Sequence, residues 1–392
     1  MRRCRRMVML WALVAGTLSD ERVSAAESHS TLATAEANAA VVYWQAFAVL
    51  PKLSEHEKAA YDAAVESAPG PVGADLQPIV ARFDNALRAL HRAQGMAECD
   101  WIIAYDEGPE GLLPHLQAAR ELARAALVRA RMRFAAGDPD GAVSDILDVF
   151  HLARDCGRDS LIVSSLVGRA IESGAVDVLA AHLTGLTPGQ LDATVTAITT
   201  LRRLPSVSDC VRSEGRMMGE WIEGVIDVSA DRLDDPREGT AVFTAILKAI
   251  GQDGSGPVTP RTDLSIADVR DSLGILRADY SRMAEIADRP PAERDWNDFQ
   301  EATMAKAPER FLSSLFLPAI AKVTETAGRH EARVTLLLLA IEAQRHGPDA
   351  IRNTVVPEHG PVEYRKTDGG FELRCQGGPK AEAEVLRVGA AK

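Results

Sequence analysis

The residues best placed to do chemistry lie in four short groups. Cys99 and Asp100 stand beside Trp101, a thiol next to a carboxylate. A nucleophilic cysteine works as the thiolate, and an adjacent aspartate raises the thiol pKa unless a histidine or helix N-terminus offsets it. His91 and His115 are the nearest histidines in sequence, and nothing in the spacing brings either to the sulfur, so the group reads as structural. Asp145, Asp148, His151 and Asp155 recur at steps of three, three and four and would share one helix face. Such a face could hold a metal, but helical di-metal sites need a second carboxylate-x-x-His pair, and Asp148-x-x-His151 has no copy; the face reads as solvated. Arg169 and Glu172, three apart in the most apolar helix, could as a buried pair orient a substrate, and read first as a structural ion pair or as snorkelling side chains. Cys99, Cys156, Cys210 and Cys375 could form up to two bridges in an oxidising compartment, with Cys156 to Cys210 the favoured pair if successive helices alternate in direction and Cys99 the competing partner for either. No C-x-x-C, H-E-x-x-H, G-x-S-x-G, phosphate loop or dinucleotide fingerprint occurs, so no metal, cofactor or catalytic residue is assigned.

The elements that must position these residues are mainly helical. A first helix is expected over 31–50, with Ala37, Val41, Trp44 and Ala48 as its apolar, core-facing stripe. Ser54 to Glu57 and Thr187 to Gln190 are capping boxes, and Asp75 opens a helix carrying Ile79, Phe83, Leu87 and Leu90. Asp138 with Pro139 turns one long helix into the next. The segment 160–182 is apolar on nearly every side, which places Leu161, Leu166, Val167 and Ile171 in the core, with Ser164, Ser165, Gly168 and Gly174 allowing close approach. Trp44, Trp101, Trp221 and Trp296 read as core fillers. A last long helix is expected over 309–346, broken at Pro318, and strand signals appear only near the end. There, 362–365 and 371–374 flank Asp368-Gly369 as a hairpin. The fold class is therefore mainly α, an irregular helical bundle or solenoid-like array with a small C-terminal β-hairpin.

The first 25 residues have a basic start, an apolar run from Met7 to Leu18 and a small-residue site at Val23-Ser24-Ala25, which is the pattern of a secretory signal cleaved near Ala26. The formal charge is −12; five arginines against one aspartate and one glutamate leave the segment with it, so about −15 stays on the remainder. That acidity argues against nucleic acid, and the run Arg120, Arg124, Arg129, Arg131, Arg133 reads as a salt-bridged helix face. The expected organisation is a signal peptide at 1–25, a helical domain at 28–229, a variable linker at 230–263, a helical segment with hairpin at 264–378 and a disordered tail at 379–392.

Three resemblances add to this. Ala135-Ala136-Gly137-Asp138-Pro139-Asp140-Gly141-Ala142, leading into Val143, Ile146 and Leu147, resembles one tetratricopeptide-type αα-hairpin, without the repeat that family needs. Asn38 to Pro51, Cys99-Asp100-Trp101, Leu113 to Leu116 and Leu161 to Ile171 are similar to a group of exported, mainly helical proteins of planctomycete-type bacteria, which implies an address and a fold and no reaction. Phe316 to Ala319, Leu336 to Ala343, His346-Gly347-Pro348 and the final hairpin resemble the body of pilin-like proteins, although the segment here is C-terminal, so filament assembly does not carry over. The function expected is an exported scaffold that binds another envelope protein or peptide and is not an integral membrane protein once cleaved. The alternative is a periplasmic enzyme whose site is assembled from dispersed carboxylates and histidines.

Overall fold

Side-chain caps and small-residue contacts divide the chain into helices much where its local signals fall. A computed structural model describes residues 38–111, 113–230, 238–251, 264–304, 308–317, 320–376 and 383–389. The expected signal peptide and its cleavage site lie outside the described residues.

From Asn38 onward the chain is one compact unit. Its helices are α1 Ala39–Ala48, α2 Glu55–Glu66, α3 Gln77–Ala81, α4 Asp84–Ala93, α5 Pro114–Ala135, α6 Pro139–Cys156, α7 Ile162–His182, α8 Pro188–Thr200, α9 Val207–Ala230, α10 Glu238–Ala249, α11 Ile266–Asp288, α12 Trp296–Met304, α13 Phe311–Phe316 and α14 Ile320–His346. The capping boxes at Ser54–Glu57 and Thr187–Gln190 are both made. Asp138 accepts from Gly141 N at 3.0 Å, with Pro139 at the first helical position of α6. Short links at 136–138 and 157–161 fold α5, α6 and α7 against their neighbours in order. Gly168 is where α7 crosses α6: a Cβ there would sit 2.5 Å from the Ala153 carbonyl, so only glycine permits the approach.

Two hydrophobic cores result. The first joins α1 to α8, the C-terminal half of α14 (Leu336, Leu337, Ala340, Ile341) and the strands; the second joins α9, α10 and α11 with Phe299, Phe311, Leu312 and Ile320. The core boundary thus falls before α9, which packs on α11, and the expected domain 28–229 does not coincide with one core. Ala241–Ile250, expected within a linker, lies largely in α10, whose Val242, Phe243, Ile246 and Leu247 are buried. Helix α7 is central as expected, with Leu161, Val167 and Ile171 buried, but Leu166 is only partly so and Val163 faces solvent, because the helix sits at the seam of both cores.

The hairpin forms as read, β3 Glu363–Thr367 against β4 Gly370–Cys375 with Thr367 opposite Gly370, beside a two-residue ladder of β1 Val355–Val356 and β2 Gly360–Pro361. A third strand, β5 Glu384–Val388, pairs antiparallel with β4. This corrects the expected disordered tail. Glu384, Leu386 and Val388 alternate inward against α7 and α14, and two of the three are apolar, enough to anchor a short edge strand. His359, between β1 and β2, spans the Gln376 and Gly328 carbonyls at 3.0 and 3.1 Å and pins the sheet to α14.

Candidate binding face over an aromatic cluster

Helix α1 carries two apolar stripes, and the core takes the one that was not expected. Ala39, Ala40, Val42, Tyr43 and Ala46 turn inward, where small side chains let α1 approach Ala86, Leu87 and Leu90 of α4. Val41, Trp44 and Ala48, read as the core stripe, face solvent, and Trp44 is 40% exposed rather than a core filler. Asn38 fixes the start of the helix. Its side chain accepts from Ala40 N at 3.1 Å and Asp100 N at 2.8 Å and donates to Asp100 O at 2.9 Å, stitching α1 to segment 98–113.

That segment supplies Trp101, the centre of the cluster under the face. Its indole stacks on Tyr43, Phe47 and His115 at centroid distances of 5.6, 6.2 and 4.4 Å, and Trp44 meets it edge-on at 6.2 Å. The C-terminal turn of α6 holds the polar ends: Trp101 Nε1 donates to Asp155 O at 2.8 Å and the Tyr43 hydroxyl to Asp155 Oδ2 at 2.9 Å. Beyond Trp101 the chain turns at Ile102, which is 79% exposed with φ of 54°. Gly108, at φ 57°, then lays the segment on Trp221 of α9, where a Cβ would stand 2.3 Å from the indole. The segment therefore touches both cores.

A β-branched residue in the left-handed region is strained by roughly 1–2 kcal/mol. Ile102→Asn, which tolerates that conformation and gives up little buried surface, should stabilise the protein by about 1 kcal/mol in urea denaturation. Equal or lower stability would show that the Ile102 side chain is held by contacts worth more than the strain.

The cluster also holds groups whose titration is displaced. Burial pushes Asp155 up to about 6 against the opposing pull of the Tyr43 hydroxyl and Arg158, and pushes Asp159 up to about 6 although it accepts from Leu161 N and Ser164 Oγ at 3.0 and 2.6 Å. Burial lowers His115 to about 4; its Nε2 has no hydrogen-bond partner among the described residues and lies 4.0 Å from Asp159 Oδ2. The two carboxyls bind protons more tightly folded than unfolded, so the stability they contribute is complete below about pH 4 and is lost as pH rises through 6. His115 acts oppositely, contributing above about pH 6.5 and losing that contribution as pH falls toward 4. His115→Phe keeps a stacking ring and removes the second effect. Between pH 7 and pH 5 the variant should therefore gain about 2 kcal/mol relative to the parent, and parallel pH profiles would contradict a neutral buried His115.

The other sequence candidates are placed differently from the expectation. Asp145 and Asp148 are buried, not on a solvated face: Asp145 takes Arg129 at 2.6 and 3.0 Å and Arg133 at 3.1 Å, while both Asp148 oxygens meet Nδ1 of the exposed His91 at 3.1–3.2 Å. Burial raises both carboxyls, with Arg129 opposing at Asp145 and His91 at Asp148. Among the described residues no three His, Cys, Asp or Glu side chains converge as for a metal. Arg169 and Glu172 are both buried but do not pair: Arg169 bonds Ser165 and the Pro205 carbonyl, and Glu172 takes Arg154 and His330 from other helices. The expected Cys156 to Cys210 bridge is absent, since all four cysteines among the described residues are free and buried, Cys156 in the first core and Cys210 in the second. Burial raises every one of these thiols, Cys99 included, against nucleophilic use. The arginine run is not all salt-bridged surface, because Arg131 is buried among carbonyls. No helix among the described residues is long and apolar enough to cross a membrane. Comparison with protein-family models, curated proteins and solved structures finds no match.

Proposed function

We propose that the protein is an exported helical scaffold of the cell envelope that binds another protein or peptide through the outer face of α1. One observation carries the reading: Val41, Trp44 and Ala48, at helical spacing on a helix without a charged residue, face solvent with Gln45 among them, and Ile102, next in sequence to the Trp101 that Trp44 meets edge-on, is exposed as well. A helix with large apolar side chains on both sides is normally covered on both sides, and exposed apolar side chains grouped on one helix face mark an interaction site, here with Gln45 and its partner Arg92 as the polar part. The aromatic cluster beneath keeps the face rigid, so little order is lost on binding. The basic start and small-residue cleavage pattern of residues 1–25 support the address. In extracts of the native envelope the protein should migrate as a complex larger than one chain, and Val41→Ser with Ile102→Asn should return it to monomer size. A monomer from the outset, or a complex the double variant leaves intact, would overturn the reading.

His91 favours a second reading, the enzyme of dispersed groups. A buried carboxylate on Nδ1 of an exposed imidazole is the arrangement that orients a general base. It lacks what the α1 face has, a surface that calls for a ligand.

A further inference from the structure

We infer that Ser173, His330 and Glu172 act as nucleophile, general base and orienting carboxylate at the seam of α7 and α14, and hydrolyse a short uncharged carboxylic ester. The activity is separate from the docking face, since none of the three lies on α1 or in segment 98–113.

Ser173 follows Glu172 directly in α7, and His330 of α14 meets both. Its Nδ1 lies 3.1 Å from Ser173 Oγ and its Nε2 lies 3.3 Å from Glu172 Oε2. A hydroxyl inside a helix commonly turns back to the carbonyl four residues earlier. Ser281 does so to Arg277 O at 3.0 Å and Thr326 to Lys322 O at 2.8 Å, whereas Ser173 Oγ meets an imidazole. The direction of the bonds follows from the carboxylate. Burial alone would raise Glu172, but His330 and Arg154 hold it below its ordinary value, and Arg154 Nη2 fixes its other oxygen at 2.8 Å. An ionised carboxylate only accepts, so Nε2 carries a proton, and in the neutral ring the lone pair falls on Nδ1, toward the serine hydroxyl. Those are the relations that activate a serine.

The three side chains run outward from the core: Glu172 and His330 are buried and Ser173 is half-buried. Arg169 and Asp177 stand one turn to either side of Ser173 on α7, and Glu331 and Arg333 follow His330 on α14. Arg333 pairs with Asp177, and Arg169 lies 3.8 Å from Glu331. These four charges cancel, so a phosphate ester gains no net attraction and a neutral ester suits the site. Arg169 also has a buried Nε–H without a hydrogen-bond partner among the described residues. It is a donor one turn from Ser173 for the negative oxygen that forms when a carbonyl is attacked.

Ser173 Oγ adds to the carbonyl carbon as its proton passes to His330 Nδ1. The ester C–O bond then breaks as that proton moves to the departing alcohol oxygen. Water, giving its proton to the same Nδ1, attacks the acyl group, and the acid leaves as the proton returns to Oγ.

The test treats the full chain with a fluorophosphonate probe and, separately, with p-nitrophenyl butyrate. Peptide mass mapping should place one fluorophosphonate adduct on Ser173, and Ser173→Ala should form none. Ester turnover should fall about 100-fold or more in Ser173→Ala and in His330→Gln, each shown to be folded by its melting. Glu172 acts through His330 as a positioning residue, so Glu172→Asp should lower kcat about tenfold and leave KM within about twofold. A folded parent protein that takes no label, an adduct on another serine, or turnover that Ser173→Ala leaves within about threefold overturns the inference. A Glu172→Asp variant that raises KM with kcat unchanged overturns the role given to Glu172.

Discussion

Glu172→Gln is expected to lower the unfolding free energy by about 3–5 kcal/mol, because it leaves the largely buried Arg154 without its counter-charge and takes a carboxylate from His330 on another helix. Glu172 Oε1 receives Arg154 Nη2 of α6 at 2.8 Å, and Oε2 lies 3.3 Å from His330 Nε2 of α14, with all three side chains largely out of water. Burial by itself would raise the carboxyl; His330 and Arg154 overcome it and hold the group below its ordinary value. Arg154 also donates to the Ile198 and Leu201 carbonyls at 3.1 and 3.0 Å, closing the end of α8, and His330 Nδ1 meets Ser173 Oγ at 3.1 Å. One carboxylate therefore sets the relative positions of α6, α7, α8 and α14. Urea denaturation measures the loss, and Glu172→Asp should recover part of it. A cost under about 1 kcal/mol for the glutamine variant would show that Arg154 and His330 find other partners.

Arg131→Met should cost a comparable amount, about 3–5 kcal/mol, for a different reason. Arg131 is 3% exposed and, among the described residues, meets no carboxylate within ion-pair distance; its guanidinium donates to Gly70 O, Ala64 O, Ala68 O and Ser67 Oγ at 2.6–2.9 Å. It supplies the donors that the C-terminus of α2 and the Pro69-Gly70-Pro71 turn lack. Methionine matches the stem and removes every donor, taking the guanidinium's bonds from the Ala64, Ala68 and Gly70 carbonyls. Arg131→Lys is the sharper control, since a single ammonium cannot span the fan of acceptors and should recover less than half of the loss. Full recovery by lysine would mean that charge rather than geometry holds the turn.

Helix positions and the hairpin were legible because each has a local cause: a capping side chain, a Pro at the first turn, a Gly at the bend. What escaped was the choice between two apolar stripes on one helix. Val41, Trp44 and Ala48 have the same period as Ala39, Val42, Tyr43 and Ala46, and period alone cannot tell which side meets the core. Small size and a buried acceptor decided it, since alanines permit close approach and Asp155 receives the Tyr43 hydroxyl. Burial of Asp145 and Asp148 escaped for a related reason. Their partners Arg129, Arg133 and His91 come from α5 and α4, so a single helix face gave no sign of them. The Arg169–Glu172 pairing failed likewise, through longer-range partners. Strand β5 was missed because its five residues follow a Gly-rich stretch and depend on β4 and α14 for burial.

The most direct test of the docking face places a photoreactive residue at position 41 and, as a control, at Val228, which is 61% exposed on α9. Both proteins are expressed at native level in their own cells and irradiated. Position 41 should give a discrete adduct with one envelope protein, lost when Ile102→Asn is added, and position 228 should give none. Equal adducts at both positions, or none at position 41, would contradict a partner on α1.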